Sequence, residues 1–100
     1  MEEYNVTIFP SAQSDLKGIV DYLNTLSPDA ALRYYDLIVE KIRTLQKLPE
    51  RCAPARDIQL RLREYRLLYV EKYIVFFTIN ADTVEIRRIL YAKRQYEELL

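Results

Sequence analysis

The stretch Tyr73-Ile74-Val75-Phe76-Phe77-Thr78-Ile79 decides the fold, because it is apolar at almost every position and rich in β-branched and aromatic side chains. Seven such residues between turn signals describe a strand buried on both faces. A strand of that kind lies inside a sheet and needs two covers. Helices supply one; the other is either the C-terminal segment Ala92 to Leu100 or another chain. On either side, Tyr65 to Val70 and Thr83 to Leu90 read as further strands, joined to the first through Glu71-Lys72 and Ala81-Asp82. Connections this short predict an antiparallel meander. Upstream, Ile58, Leu60 and Leu62 alternate with Gln59, Arg61 and Arg63, which predicts one more strand, ending at Arg63-Glu64.

The N-terminal half has a different period. Tyr4, Val6 and Ile8 alternate with Asn5 and Thr7 and stop at Pro10, the pattern of a short strand. Leu16, Ile19, Val20, Leu23 and Leu26 then recur at helical spacing, with Ser11 or Ser14 available as the cap. Gly18 either weakens this helix by roughly 1 kcal/mol relative to Ala or marks a close packing contact. Ser27-Pro28-Asp29 is a helix start, and Ala31, Tyr35, Ile38, Ile42 and Leu45 carry the next helix to about Leu48, where Pro49 stops it. The two helices are expected to form an antiparallel hairpin. Pro49 to Arg56 has two prolines and no period, and reads as the loop between the helical half and the sheet. The expected architecture is α+β: a short N-terminal strand, a helical hairpin, then an antiparallel meander with a short C-terminal segment.

With 100 residues and no Gly/Ser/Pro-rich linker, residues 1–100 are expected to form one domain. The chain has one cysteine, Cys52, and no histidine, so it lacks the ligand mixture of zinc and haem sites; neither a metal nor a small-molecule cofactor is expected. The acidic Met1-Glu2-Glu3 start and the lack of a long apolar run point to a cytoplasmic protein with no membrane partner. The 15 basic residues balance the 15 acidic ones, which argues against a strongly basic nucleic-acid binder. Six of the eight basic residues after Arg56 are arginine, however, the side chain suited to bidentate phosphate contacts.

Taken in order, several segments resemble the RelE/ParE superfamily of bacterial type II toxins. They are Ala12…Asp15-Leu16…Ile19…Tyr22-Leu23, Ser27-Pro28…Ala31, Ile42…Leu45…Leu48-Pro49, Tyr65-Arg66-Leu67-Leu68-Tyr69 and Ile86 to Glu97. The resemblance covers nearly the whole chain. It implies a growth inhibitor, often serving plasmid stabilisation, that a cognate antitoxin wraps with an extended C-terminal segment. It also implies one of two targets: RelE-like members cut mRNA in the ribosomal A site, and ParE-like members inhibit DNA gyrase. A fold shared by two activities does not choose between them.

Metal-independent RNA cleavage needs a base for the 2′-hydroxyl, an acid for the leaving oxygen and cations for the transition state. The resemblance matches Arg66 and Arg94 to phosphate-contacting arginines of the nuclease branch, with Arg61, Arg63 and Arg88 as further phosphate binders and Tyr91 as the remaining catalytic candidate. For Arg66 the residues leave a second reading open, an anchor paired with Glu64, Glu71 or Glu85; for Arg61 and Arg63 it is a solvated strand face. Some nuclease members carry lysines before the Tyr-Arg motif and many carry histidine after the last strand. Here those places hold Asp57-Ile58-Gln59-Leu60-Arg61 and Tyr91. Neither arginine nor unperturbed tyrosine is a good base at neutral pH, so Tyr91 or Tyr96 serves such chemistry only beside a cation that lowers its pKa, or stacks on a base. The Ala31-Leu32-Arg33-Tyr34-Tyr35-Asp36 helix start resembles ParE-like chains. It makes Arg33, Tyr34 and Tyr35, together with Tyr96, candidates for a partner surface, the alternative for the tyrosine pair being a place in the core. The reading favoured is a gyrase inhibitor without chemistry of its own. The alternatives are an mRNA endonuclease and a non-toxic interaction domain.

Overall fold

The computed structural model describes residues 3–93 and residue 100. Strand β1 (Asn5–Ile8) leads into helix α1 (Pro10–Leu26) and helix α2 (Pro28–Arg43), followed by two 3₁₀ turns, Thr44–Gln46 and Pro49–Arg51. A short helix α3 (Ile58–Leu62) precedes β2 (Arg66–Val70), β3 (Tyr73–Asn80) and β4 (Thr83–Tyr91). The sheet order is β1-β4-β3-β2, with β2, β3 and β4 antiparallel and β1 parallel to β4. The α+β architecture expected from the sequence is the one observed.

β3 is the centre of the sheet. Tyr73, Val75 and Phe77 face the helical hairpin and pack with Ile38, Ile42 and Leu45. Ile74 and Phe76 face the other way, where Ala55, Leu60, Tyr65 and Leu90 close over them, with Ala92 and Leu100 at the margin. Among the described residues, then, the second cover comes from the segment around α3 together with Ala92 and Leu100; residues 94–99 of the expected C-terminal cover lie outside the described residues. Phe76 and Phe77 are both fully buried, so truncating either to Ala should cost about 3–5 kcal/mol.

Two local expectations are corrected. The alternating Ile58–Leu62 segment is a helix, not a strand: Asp57 caps it by accepting from the Leu60 N–H (3.1 Å), and Leu60 alone of its apolar residues is buried. Ile58 and Leu62 lie one turn apart and exposed, so the apolar alternation never met a sheet. The second helix also ends at Arg43 rather than near Leu48. Arg51 closes that end by donating to the carbonyls of Thr44, Lys47 and Leu48 and to the Thr44 hydroxyl.

At the helix starts, Ser27 caps α2 as expected, its hydroxyl accepting from Ala30 N–H. Helix α1 instead begins one residue after Phe9, with Pro10 at its first position, and neither Ser11 nor Ser14 caps it. Pro10 both ends the strand and starts the helix, since its fixed φ suits the first helical residue.

Leu48 sits at φ 50°, ψ 53°, a left-handed conformation that Cβ disfavours, and its side chain is exposed. Leu48→Gly is expected to stabilise the protein by about 1 kcal/mol, read as a raised urea midpoint with an unchanged slope.

Candidate functional site

The arginines are distributed by the fold in different ways. On β2, Arg66 donates through Nη1 to the carbonyls of Cys52 (2.6 Å) and Glu50 (3.2 Å). It thus anchors the 50–52 loop, through backbone oxygens and not through Glu64, Glu71 or Glu85. The Glu50 carboxyl is held below the usual carboxylate range, first by its own backbone N–H, then by the Tyr4 hydroxyl and the Arg66 charge. Arg61 is exposed on α3, and Arg63 follows it with its guanidinium 5.2 Å from the Tyr65 ring centroid and a hydrogen bond to the Leu100 carbonyl. Arg87 lies over Phe9 (4.8 Å) and near Tyr65 (5.8 Å), where β4 shifts register against Phe76 and Phe77. Arg94 and Tyr96 lie outside the described residues.

Arg88 is engaged differently. Its Nε donates to Asp15 Oδ2 (2.7 Å) and its Nη2 to Asp15 Oδ1 (2.9 Å), a two-pronged pair between β4 and α1. Both side chains are largely shielded, at 24% and 14% exposure. Asp15 Oδ2 also accepts from the Ile89 backbone N–H (3.0 Å). Pairing of β1 with β4 stops at Ile86, so Asp15 takes a strand donor that β1 does not reach. The Asp15 bond holds the Arg88 guanidinium further toward its charged form. A guanidinium so occupied is poorly placed to grip a phosphate, contrary to the role the sequence offered it.

Beside this pair a groove of about 720 Å³ runs between α1 and the ends of β3 and β4. Gly18, Ile19, Tyr22, Leu23 and Leu26 form one wall; Tyr73, Ile89, Leu90 and Tyr91 form the other, with Tyr34 and Lys72 at one end. Of the whole of α1 only Ala12 is buried, whereas Tyr22 and Leu26 are 62% and 66% exposed. The apolar face of this amphipathic helix is only half covered. Among the described residues no atom outside its own helix lies within 4 Å of where a Cβ on Gly18 would stand, so the glycine marks no close contact there, against that expectation.

Tyrosines dominate the far end of the groove. Tyr73 meets Tyr34 edge-on (5.7 Å, 78°) and Tyr91 edge-on (5.8 Å, 63°). Burial, and then its tyrosine neighbours, push the Tyr73 hydroxyl up. Of the expected partner surface, Tyr34 is buried, with its hydroxyl donating to Glu71 Oε1 (3.1 Å) and Arg33 lying 4.6 Å over its ring. Tyr35 and Tyr91 remain open, at 43% and 39% exposure. Tyr22 and Tyr73 carried fold signals in the sequence but were not read as site residues; only three-dimensional proximity brings them to one groove with Tyr34 and Tyr91. Among the described residues no group of three or more His, Cys, Asp or Glu could hold a metal ion, and no helix is long and apolar enough to cross a membrane.

This arrangement of strand, helical hairpin and meander is shared with solved toxin–antitoxin structures. A chain of the chromosomal ParDE system from P. aeruginosa superposes with a TM-score of 0.78 at 23% identity, over 91% of this chain and 98% of that one. A chain of the RelBE2 toxin–antitoxin complex from Mycobacterium tuberculosis superposes with a TM-score of 0.64 at 22% identity, over 89% and 98%. No curated protein matches in sequence. Residues 6–96 match the family model of the ParE toxin of the type II toxin-antitoxin system parDE, and the chain belongs to that family.

Two measurements check the site. Asp15→Ala removes the two-pronged contact with Arg88 and the acceptor of the Ile89 N–H, and is expected to cost about 2–3 kcal/mol in urea unfolding. Adding Arg88→Ala should cost little more, since the two act as one unit. The second measurement concerns Glu50, whose depressed pKa contributes stability that is present above the ordinary carboxylate pKa and lost as pH falls through the lower folded value. Tyr4→Phe is expected to move the Glu50 titration, followed by carboxyl NMR, back up toward that ordinary value.

Proposed function

We propose that the chain is the toxin of a bacterial type II toxin-antitoxin pair, that it acts in the cytoplasm, and that a cognate antitoxin silences it. Its target on this reading is DNA gyrase, which it inhibits by binding and without covalent chemistry. The observation that carries the reading is the employment of the arginines: Arg88 is clasped by Asp15 and Arg66 is tied to the Glu50 and Cys52 carbonyls. A nuclease of this fold needs cations free to hold phosphate, and a group able to move a proton at neutral pH. The chain has no histidine, and among the described residues the ring contact of Tyr91 is with Tyr73. The family match supports the ParE-like branch.

The RelE-like alternative, ribosome-dependent mRNA cleavage, draws on Arg61 and Arg63. Both side chains are exposed around α3 on the covered side of the sheet, away from the groove. In that reading they would grip the message, with Arg66, Arg94 and Tyr91 at the scissile phosphate.

Induction in a bacterium, with protein and DNA synthesis pulse-labelled separately over the first minutes, decides between them. DNA synthesis is expected to fail first. An early arrest of translation would instead establish the nuclease reading, and undisturbed growth would contradict both.

A further inference from the structure

We propose that the surface built around α3 is where the chain grips gyrase: the aliphatic pair Ile58 and Leu62, edged by arginines and set beside a small cavity at the β2 edge, takes an acidic surface of that enzyme with an apolar side chain at its centre. This rests on the gyrase reading above and names the site and chemistry of that contact.

The helix turns most of its apolar surface outward. Leu60 is packed into the sheet at 2% exposure, whereas Ile58 and Leu62 are 54% and 72% exposed. The two stand four residues apart and share one face of the helix, with Arg61, three residues after Ile58, next to them. Two large aliphatic side chains held side by side in water add nothing to the chain's own core and mark a contact surface. They are also held firmly. Asp57 caps the start of α3, the Tyr65 N–H donates to the Leu60 carbonyl (3.0 Å), the Ala55 N–H donates to the Tyr65 carbonyl (2.9 Å), and the Leu67 N–H donates to the Ala53 carbonyl (3.3 Å). A surface so braced loses little freedom when a partner docks.

Beside α3 lies a cavity of about 270 Å³, bounded by Pro54, Arg56, Leu60, Leu67 and Tyr69. It is smaller than the roughly 300–1,000 Å³ of small-molecule sites and suits a single side chain of a protein partner. Tyr69, 64% exposed, stands on the edge strand beyond the part that residues 53–55 cover. Tyrosine and arginine at the rim of such a cavity are the side chains that most often dominate protein contacts.

The charge of the partner follows from three arginines. Arg56, Arg61 and Arg63 are all exposed around the patch. Arg63 is held by the Leu100 carbonyl and the Tyr65 ring, while Arg56 and Arg61 have no hydrogen bond or ion pair among the described residues. Against them stand Glu64 and Asp57, the latter engaged as the α3 cap, so the patch is net positive. An aliphatic centre with a cationic rim fits a protein better than a nucleic-acid strand, whose phosphates would use the arginines and leave Ile58 and Leu62 in water.

The test measures binding to purified gyrase, inhibition of supercoiling and thermal unfolding for the wild type, Ile58→Gln/Leu62→Gln and Arg56→Glu/Arg61→Glu. Glutamine suits a helix, and all four side chains are exposed, so Tm is expected to move by no more than about 4 °C. Each double variant is expected to bind gyrase at least about tenfold more weakly and to inhibit it correspondingly less. Added salt is expected to weaken the wild type more than the arginine variant. Should either variant lose its fold, Tyr69→Ala, outside α3, is expected to show the same loss of binding. If Ile58→Gln/Leu62→Gln binds gyrase as tightly as the wild type, the surface is wrong while the gyrase reading stands; a loss confined to the arginine variant would point to the DNA that gyrase carries. Tighter binding by the arginine variant would make the partner surface basic and overturn the proposal. A wild type that does not bind gyrase at all would remove the gyrase reading along with it.

Discussion

One carboxylate, Asp15, ties the helical hairpin to the sheet where the sheet is incomplete. Strand β1 pairs with only the first half of β4, and beyond Ile86 the strand would present bare backbone groups to solvent. Asp15 reaches across from α1, accepts the Ile89 N–H and holds both prongs of Arg88. Three consequences follow from this contact. The pitch of α1 over β4 is fixed, the exposed edge has one of its donors taken, and an arginine is drawn in from the surface. Because both partners are largely shielded, removing one member leaves a poorly solvated charge and costs more than breaking a solvent-exposed pair, whatever the pair's net worth.

That geometry shapes what the molecule can do. With α1 held at its N-terminal end by Asp15, its C-terminal half stands off the sheet and leaves the tyrosine-lined groove. The groove offers shape and apolar area. It offers little acid–base chemistry, since Tyr73 is pushed away from ionisation by its burial. Binding is the activity such a surface favours, and tyrosine is well suited to it, bringing large contact area at low entropic cost. The exposed Arg61 and Arg63 lie elsewhere, around α3, on the other face of the sheet from the helical hairpin.

The sequence made the frame legible where its signals were local and redundant. The doubly apolar Tyr73–Ile79 run, the Ser27-Pro28 helix start and the two-residue turns at Glu71-Lys72 and Ala81-Asp82 each gave an element that the structure contains. The Ile58–Leu62 segment was misread because five alternating residues fit a strand, while the competing signal, the Asp57 cap, is a single side chain. The site was much less legible. Arg88 and Asp15 are 73 residues apart, and the Arg66 bonds run to main-chain oxygens that every residue possesses, so no pattern of residue types reveals them. For Tyr34 the sequence left both a partner surface and a place in the core open, and its neighbours in space bury it. Gly18 was visible as an anomaly, and among the described residues nothing packs against the place its Cβ would take.

On the proposed reading this chain acts by binding, with Arg66 and Arg88 committed to its own architecture. Titrating the purified chain into two reconstituted reactions, DNA supercoiling by purified gyrase and a ribosome programmed with a defined message, tests this. Supercoiling is expected to fail in proportion to the chain added while the message stays intact. Cleaved message with supercoiling undisturbed would overturn that reading.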